Sequence, residues 1–393
     1  MSLSIYIHIP FCAQRCLYCD FNTCAGQERL IPAYINALIK EIRLQSEGCQ
    51  TFPIHSIYIG GGTPSIVPIN DYILLFSSLI QSFDLSPDCE ISIEVNPGTI
   101  HTEYLDGLKA LGVNRISIGA QSMNSVDLMR LGRIHDPDDI FNSISDARKA
   151  GFDNISLDMI FGLPWQDLAD WKSSLSSAVN LNPDHFSLYS LIVEPGTPMY
   201  SWYQRGLISP QNQDLEAEMY ELAIEVLDNA GYTHYEISNW ARNSLYRNFR
   251  CRQNLQYWKN EPYLGLGAGA HGYFKGYRIV IDNDIAEYML KIENHDKSSN
   301  NILFSPGEEA KFRVEPVAEM KDHMMLGLRL IEQGVSDADF QERYGKSFKS
   351  FFGDEIEELV KNNLLEWIGE DQRGLHLTRS GLMVANQVFM RFI

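Results

Sequence analysis

The feature that most constrains this chain is an alternation carried through its first 200 residues. Short runs rich in β-branched and aromatic residues recur as LSIYIHI, HSIYIGG, EISIEVN, NRISIGA, NISLDMI and HFSLYSLIVE. Between them lie helix-length amphipathic stretches: PAYINALIKEIRLQ, DYILLFSSLIQSF, EYLDGLKALG, PDDIFNSISDARKAG and LADWKSSLSSAVNL. Strands separated by a helix cannot be joined by a tight turn and pair parallel instead, so the order predicts βα units around a parallel sheet. Gly112 and Gly151 close two of these helices where a left-handed cap residue sits.

Polar or glycine-rich residues gather at the C-terminal end of each expected strand. Cysteines follow the first, GGGTP the second and GAQS the fourth; Glu94 lies on the third, Asp158 on the fifth, Tyr189 and Glu194 on the sixth. Barrel folds carry their sites at that end, which makes the expected class α/β, a partial (β/α)6 TIM-type barrel. After residue 200 the pattern changes to a helix DLEAEMYELAIEVLDNAG, a strand YTHYEISNW and a glycine-rich run YLGLGAGAHGY, where the barrel is expected to have ended. The expected division is a barrel over 1–240, a connecting region over 241–300 and a smaller, mainly helical domain over 301–393. The polar stretch NHDKSSNN reads as a linker. The tail reads helix, helix, short hairpin with QRG at its tip, helix, which resembles a winged helix. Its acidic segments EIEEL and GED favour packing or a protein partner over DNA.

Hydrophobic residues at 45% and charged residues at 21% permit a sizeable core. A formal net charge of -19 argues against a nucleic-acid partner held by general electrostatics. The seven cysteines are an odd number, and MSLSIYIHIPF has no basic region followed by a long apolar run, so the expected location is the reducing cytoplasm. No apolar stretch reaches the ~20 residues of a membrane span.

CAQRCLYC supplies Cys12, Cys16 and Cys19 in the spacing CxxxCxxC. A zinc clip wants a second cysteine pair or matched histidines, which are missing, and a reducing compartment disfavours disulfides. Three thiolates in a loop after a strand can hold three irons of a 4Fe–4S cube and leave the fourth open. The longer segment YIHIPFCAQRCLYCDF resembles the radical S-adenosylmethionine signature, in the form found in the coproporphyrinogen oxidase-like branch. The resemblance implies the radical S-adenosylmethionine kind of barrel and a 4Fe–4S cluster on Cys12, Cys16 and Cys19. It also implies S-adenosylmethionine chelated to the open iron, where reductive cleavage gives methionine and a 5'-deoxyadenosyl radical. Coproporphyrinogen-decarboxylating members carry CxxxCxxCxC; here that last position is Phe21, and Cys24 is out of register and reads as a packed thiol. CxxxCxxCDF is instead similar to the HemW-like heme chaperones, and only eleven residues precede Cys12.

The same resemblance carries over a cofactor cradle. Gly61, Gly62 and Thr63 of GGGTP match the element that binds the methionyl amino group. Tyr6, Tyr18, Glu94, Gln121, Arg133 and Asp158 match further cofactor contacts. The residue types suit those contacts, because carboxylates accept from ribose hydroxyls or an amino group, and a guanidinium pairs with a carboxylate in a fork.

In the second half, CRQNLQYWKNEPYLGLGAGAHGY resembles the family's HNxxYW and YLGxGxGAHG segments, and MLGLRLIEQGV with the tail extends the resemblance over nearly the whole chain. The family's histidine, proposed there to take part in heme binding, is Gln253 here, a poor iron ligand. Cys251 and His271 are the nearby candidates, each with an ordinary packing or turn role as the alternative. The resemblance implies a heme chaperone with heme as cargo, heme-acceptor proteins, respiratory ones among them, as partners, and leaves a homodimer open. The alternative function is a radical enzyme, an oxygen-independent coproporphyrinogen III oxidase or a related methyltransferase.

Overall fold

The computed structural model describes residues 3–49, 51–209, 212–295, 304–369 and 371–393. The six anticipated strands are present: β1 (Leu3–Ile9), β2 (Ile54–Gly61), β3 (Leu85–Val95), β4 (Arg115–Gln121), β5 (Ile155–Phe161) and β6 (His185–Ser190). They pair parallel in chain order. Each strand alternates: Ile5, Ile7 and Ile9, or Ile91, Ile93 and Val95, are buried in the main core with helix residues such as Ile35, Leu38 and Ile42. The intervening positions, Ser4, Ser56, Glu90, Arg115 and Ser156 among them, are buried yet polar. A period of two thus turns the apolar set toward the helices and the polar set toward the barrel interior.

The helices begin and end where local chemistry requires. Pro137–Lys149 and Leu168–Asn180 each open with a reciprocal capping box, Asp136 with Asp139 and Asp167 with Asp170. Gly112 and Gly151 adopt φ of +97° and +81°, the left-handed conformation expected of them.

Beyond residue 200 the sheet grows at both edges. The segment expected as one strand, YTHYEISNW, is a hairpin of β7 (Tyr232–Glu236) and β8 (Asn239–Arg242), with β8 antiparallel to β6. The reversal is held by the Glu236 carboxylate, which accepts from the Ser238 amide and the Asn239 side chain. On the opposite edge β9 (Tyr263–Leu266) pairs parallel with β1 and leads antiparallel through β10 (His271–Phe274) and β11 (Tyr277–Ile281) to β12 (Glu308–Arg313). The sheet order is β12-β11-β10-β9-β1-β2-β3-β4-β5-β6-β8-β7. Most of the expected linker, residues 296–301 of NHDKSSNN, lies outside the described residues.

The short helix Arg252–Trp258 closes the N-terminal end of the barrel. The Arg252 amide donates to Glu90 (2.9 Å), Ser56 Oγ to the Gln253 side-chain carbonyl (2.9 Å), and His55 Nε2 meets Gln256 Oε1 at 2.8 Å. A second hydrophobic core lies in the tail, where Met324, Phe340, Phe348 and Phe352 pack beside a three-stranded sheet containing the hairpin Leu365–Ile368 and Gly374–Leu377. It is tied to the barrel by Arg343 to the Asn260 carbonyl (2.9 Å) and Arg329 over the Trp258 ring (4.1 Å).

Candidate functional site

A cavity of about 480 Å³ opens at the C-terminal mouth of the parallel strands and is lined by Cys12, Cys16 and Cys19 together with residues from five of the six strands and the loop after the first. The cysteine loop is closed at its base, where Phe11–Cys12 and Cys24–Ala25 pair as two-residue strands. Its tip is fastened by backbone bonds from Leu17 to Leu131 (3.1 Å) and from Met199 to Leu17 (3.0 Å). All seven cysteines are free thiols. Burial pushes the Cys12 and Cys19 thiols above their ordinary pKa, opposed by the hydroxyls of Thr63 and Thr23. Among the described residues no three His, Cys, Asp or Glu side chains converge on a single-ion site, so the loop offers three separate soft donors on one cavity wall. That suits a polynuclear cluster, which takes one thiolate per iron.

The expected cradle surrounds this loop. Arg133 follows the left-handed Gly132 that ends helix Ser125–Leu131, and reaches Cys16 Sγ (3.3 Å), Asn96 Oδ1 (2.6 Å) and the Gly119 carbonyl (2.8 Å). Burial opposes its charge, but Tyr18 and Cys16 more than compensate and hold its pKa up. Tyr18 also lines the cavity, and burial raises its pKa. Glu94, facing inward from β3, accepts from the Tyr58 hydroxyl (2.9 Å) and the Gly61 amide (3.0 Å). Burial first, then the charge of Asp158, pushes Glu94 up to about 7. Asp158 accepts from Ser117 Oγ (2.9 and 3.0 Å) and Ser156 Oγ (3.2 Å), and burial raises its pKa too. Two carboxyl groups thus share one buried interior, and burial disfavours the charged form of each.

A Cβ on Gly62 would stand 2.6 Å from the Phe11 carbonyl and 2.8 Å from Cys12 Sγ, so only glycine lets this turn lie against the cluster loop. Thr63 is buried beside it and accepts from Asn96 Nδ2 (2.9 Å). Gln121 ends β4 at φ +65°, an uncommon conformation for a residue with a side chain, at the cavity rim. Tyr6 is the expected contact placed apart: it lines a neighbouring cavity, donates to His8 Nδ1 (2.9 Å) and stacks on Tyr58 at 6.3 Å between centroids. Cys24 does not line the main cavity, whereas Phe21 does and is 64% exposed.

Residues 6–178 match the Radical SAM superfamily and residues 315–384 the HemN C-terminal domain. The heme chaperone HemW of Bacillus subtilis (strain 168) is 36% identical over 391 residues, covering 99% of this chain and 99% of that protein. This chain belongs to the HemW family. The Synechocystis heme chaperone HemW is 40% identical over 336 residues, 84% of this chain and 78% of its own. The mouse radical S-adenosyl methionine domain-containing protein 1, mitochondrial, is 32% identical over 396 residues, covering 99% and 87%. In fold, the chain matches coproporphyrinogen III oxidase (HemN) from Escherichia coli, a radical SAM enzyme, with a TM-score of 0.83 at 23% identity, covering 100% of this chain and 90% of that one.

Membership of the superfamily implies a 4Fe–4S cluster and S-adenosylmethionine, and the three thiols, Arg133, Glu94 and the Gly62 turn fit that pair. Sequence reasoning missed Tyr58, Asn96, Arg115, Ser117 and Ser187, which also line the HemW-family cavity. Strand parity would have found most of them, because each inward position shares the register of Glu94 or Asp158. At position 253 the glutamine is buried in the barrel floor, accepting from Ser56 and donating to the Tyr257 hydroxyl (2.9 Å). Cys251 is buried at the inner end of the main cavity, where burial pushes its thiol up to about 11. His271 is exposed and lines the neighbouring cavity.

Proposed function

We propose that this HemW-family chain is a heme chaperone that binds heme and delivers it to acceptor proteins, respiratory ones among them, in the cytoplasm. The reading rests on full-length likeness to heme chaperones in a chain whose cavity carries Phe21 where the decarboxylating relatives have a further cysteine. No described helix is long and apolar enough to cross a membrane.

In this reading Cys12, Cys16 and Cys19 ligate the cluster, and Arg133 donates to the Cys16 sulfur at 3.3 Å. Gly61, Gly62 and Thr63 shape the turn that receives the cofactor, with Glu94 as acceptor for its amino group and Asp158, Gln121 and Tyr18 as further contacts. When bound, the cluster would supply an electron for cleavage of S-adenosylmethionine; the chain's own residues orient the cofactor.

A second reading, a radical enzyme acting on a porphyrinogen or transferring a methyl group, is favoured by one observation. Arg115 is buried at the inner end of the cavity, and among the described residues its Nε and Nη1 have no hydrogen-bond partner, which suits a carboxylate-bearing substrate. Anaerobic reconstitution followed by heme titration and by porphyrinogen turnover on one preparation separates the two. Heme binding without turnover is expected; protoporphyrinogen formation would refute the chaperone reading. Sedimentation of the same preparation tests the homodimer.

A further inference from the structure

The neighbouring cavity, about 440 Å³, shares among the described residues only Phe21 with the main one and takes in Tyr6, the expected cofactor contact placed apart. Its other walls include Tyr257, Tyr263, Val280 and His271, with Asn22 from the cysteine loop beside them. Tyr257 and Tyr263 pack edge to face at 4.6 Å. A cavity of this size with aromatic walls suits a planar aromatic macrocycle that carries a metal, and of the ligand-type side chains of His271 and Glu309 on its wall the imidazole is the usual ligand to heme iron.

The ligand is decided by which imidazole is free. His8 also lines the cavity, but its Nε2 donates to the Asn22 carbonyl (2.8 Å) and its Nδ1 accepts from the Tyr6 hydroxyl. His271 stands exposed on β10, opposite Val280 of β11, and its ring makes no hydrogen bond among the described residues. Gln253 lies behind the wall residue Tyr257, hydrogen-bonded to its hydroxyl and to Ser56, and Cys251 is buried at the inner end of the main cavity; neither lines this one.

We infer that the cleft between the cysteine loop and β10–β11 is the heme site, with His271 as axial ligand to the iron and Phe21, Tyr257 and Tyr263 against the macrocycle. This rests on the heme-chaperone reading and gives it a place in the fold. The site is mechanically joined to the cluster loop: Asn22 Nδ2 donates to the Ala268 carbonyl (3.2 Å) and the Asn283 carbonyl (3.0 Å). A Cβ on Gly269 would stand 2.3 Å from Asn22 Nδ2, so the glycine-rich run leading to His271 is fitted against the end of the cluster loop.

The test is heme titration of the anaerobically reconstituted full chain, read by the Soret band and by electron paramagnetic resonance of the ferric form. The unaltered chain is expected to give a histidine-ligated spectrum. His271→Ala, at an exposed position, is expected to keep its iron and sulfide content, to bind heme about tenfold or more weakly with an altered ligand-field spectrum, and to regain the original bands with added imidazole. Cys251→Ser is expected to keep the spectrum of the unaltered chain. If His271→Ala retains both spectrum and affinity, or Cys251→Ser loses the spectrum instead, the assignment of this cleft is overturned while the chaperone reading stands. If the unaltered chain binds no heme, both fall.

Discussion

The titration of Glu94 offers a direct test of the barrel interior. Burial and the charge of Asp158 raise its pKa in the folded chain from an ordinary 4.5 to about 7. Between those values the folded chain holds a proton that the unfolded chain has released, so stability is fully present below the lower value and falls as pH rises through the upper one. At about 1.4 kcal/mol per pH unit the displacement corresponds to roughly 3 kcal/mol, an upper figure because the carboxylate lies at a cavity open to water. Glu94→Gln removes this titration while keeping one oxygen to accept from the Gly61 amide, and its new amide NH2 can donate to the Tyr58 hydroxyl, which then accepts instead of donating. Asp158 and Glu90 shift in the same direction, so the informative quantity is the difference between the two chains. Urea unfolding without cofactor, from about pH 4.5 to 8, is expected to show the original chain losing about 2–3 kcal/mol more than Glu94→Gln over that range. Parallel pH profiles would refute the reasoning.

Other consequences are equally concrete. Gly62→Ala forces a methyl group against Cys12 Sγ and the Phe11 carbonyl; an overpacking cost of about 1–3 kcal/mol is expected to appear as reduced iron and sulfide per chain after reconstitution. Serine at Cys12, Cys16 or Cys19 is expected to abolish the cluster absorbance, and serine at Cys24 to leave it unchanged; equal loss from Cys24→Ser would overturn the three-ligand assignment. Phe340→Ala in the tail core, where that ring meets His323, Tyr344, Phe348 and Phe352, is expected to cost about 3–5 kcal/mol, measured as a lowered denaturant midpoint.

The local part of the fold was legible because it is written in short periods. The run LSIYIHI is β1 residue for residue, and the other five strands begin or end within a few residues of their alternating runs, since the face packed on the helices demands every second side chain to be apolar. What could not be read is what depends on distant partners. Nothing in YLGL says that it will lie parallel to β1, because that pairing joins opposite ends of the barrel domain. The β7–β8 reversal was missed because it lacks a glycine or proline signal and is built by one glutamate side chain. In the cavity the cysteines and glycines were visible as motifs. Tyr58, Arg115 and Ser117 look like ordinary strand residues until the inward register is assigned. Tyr6 shares that register but lies beyond Tyr58, on the wall of the neighbouring cavity.

The staple from Asn22 to Ala268 joins residues 246 apart in sequence. During synthesis at about 5–20 residues per second, the cysteine loop emerges roughly ten to fifty seconds before its clamp. Throughout that interval β1 has an uncovered edge, and the thiols that follow it lack the support of the Gly269 turn. A metal cluster inserted into the finished chain meets a site completed by its second half, so cluster loading reports that the ribosome has gone well past the barrel. A truncated chain ending before residue 260 should therefore hold iron poorly even though every cysteine ligand is present.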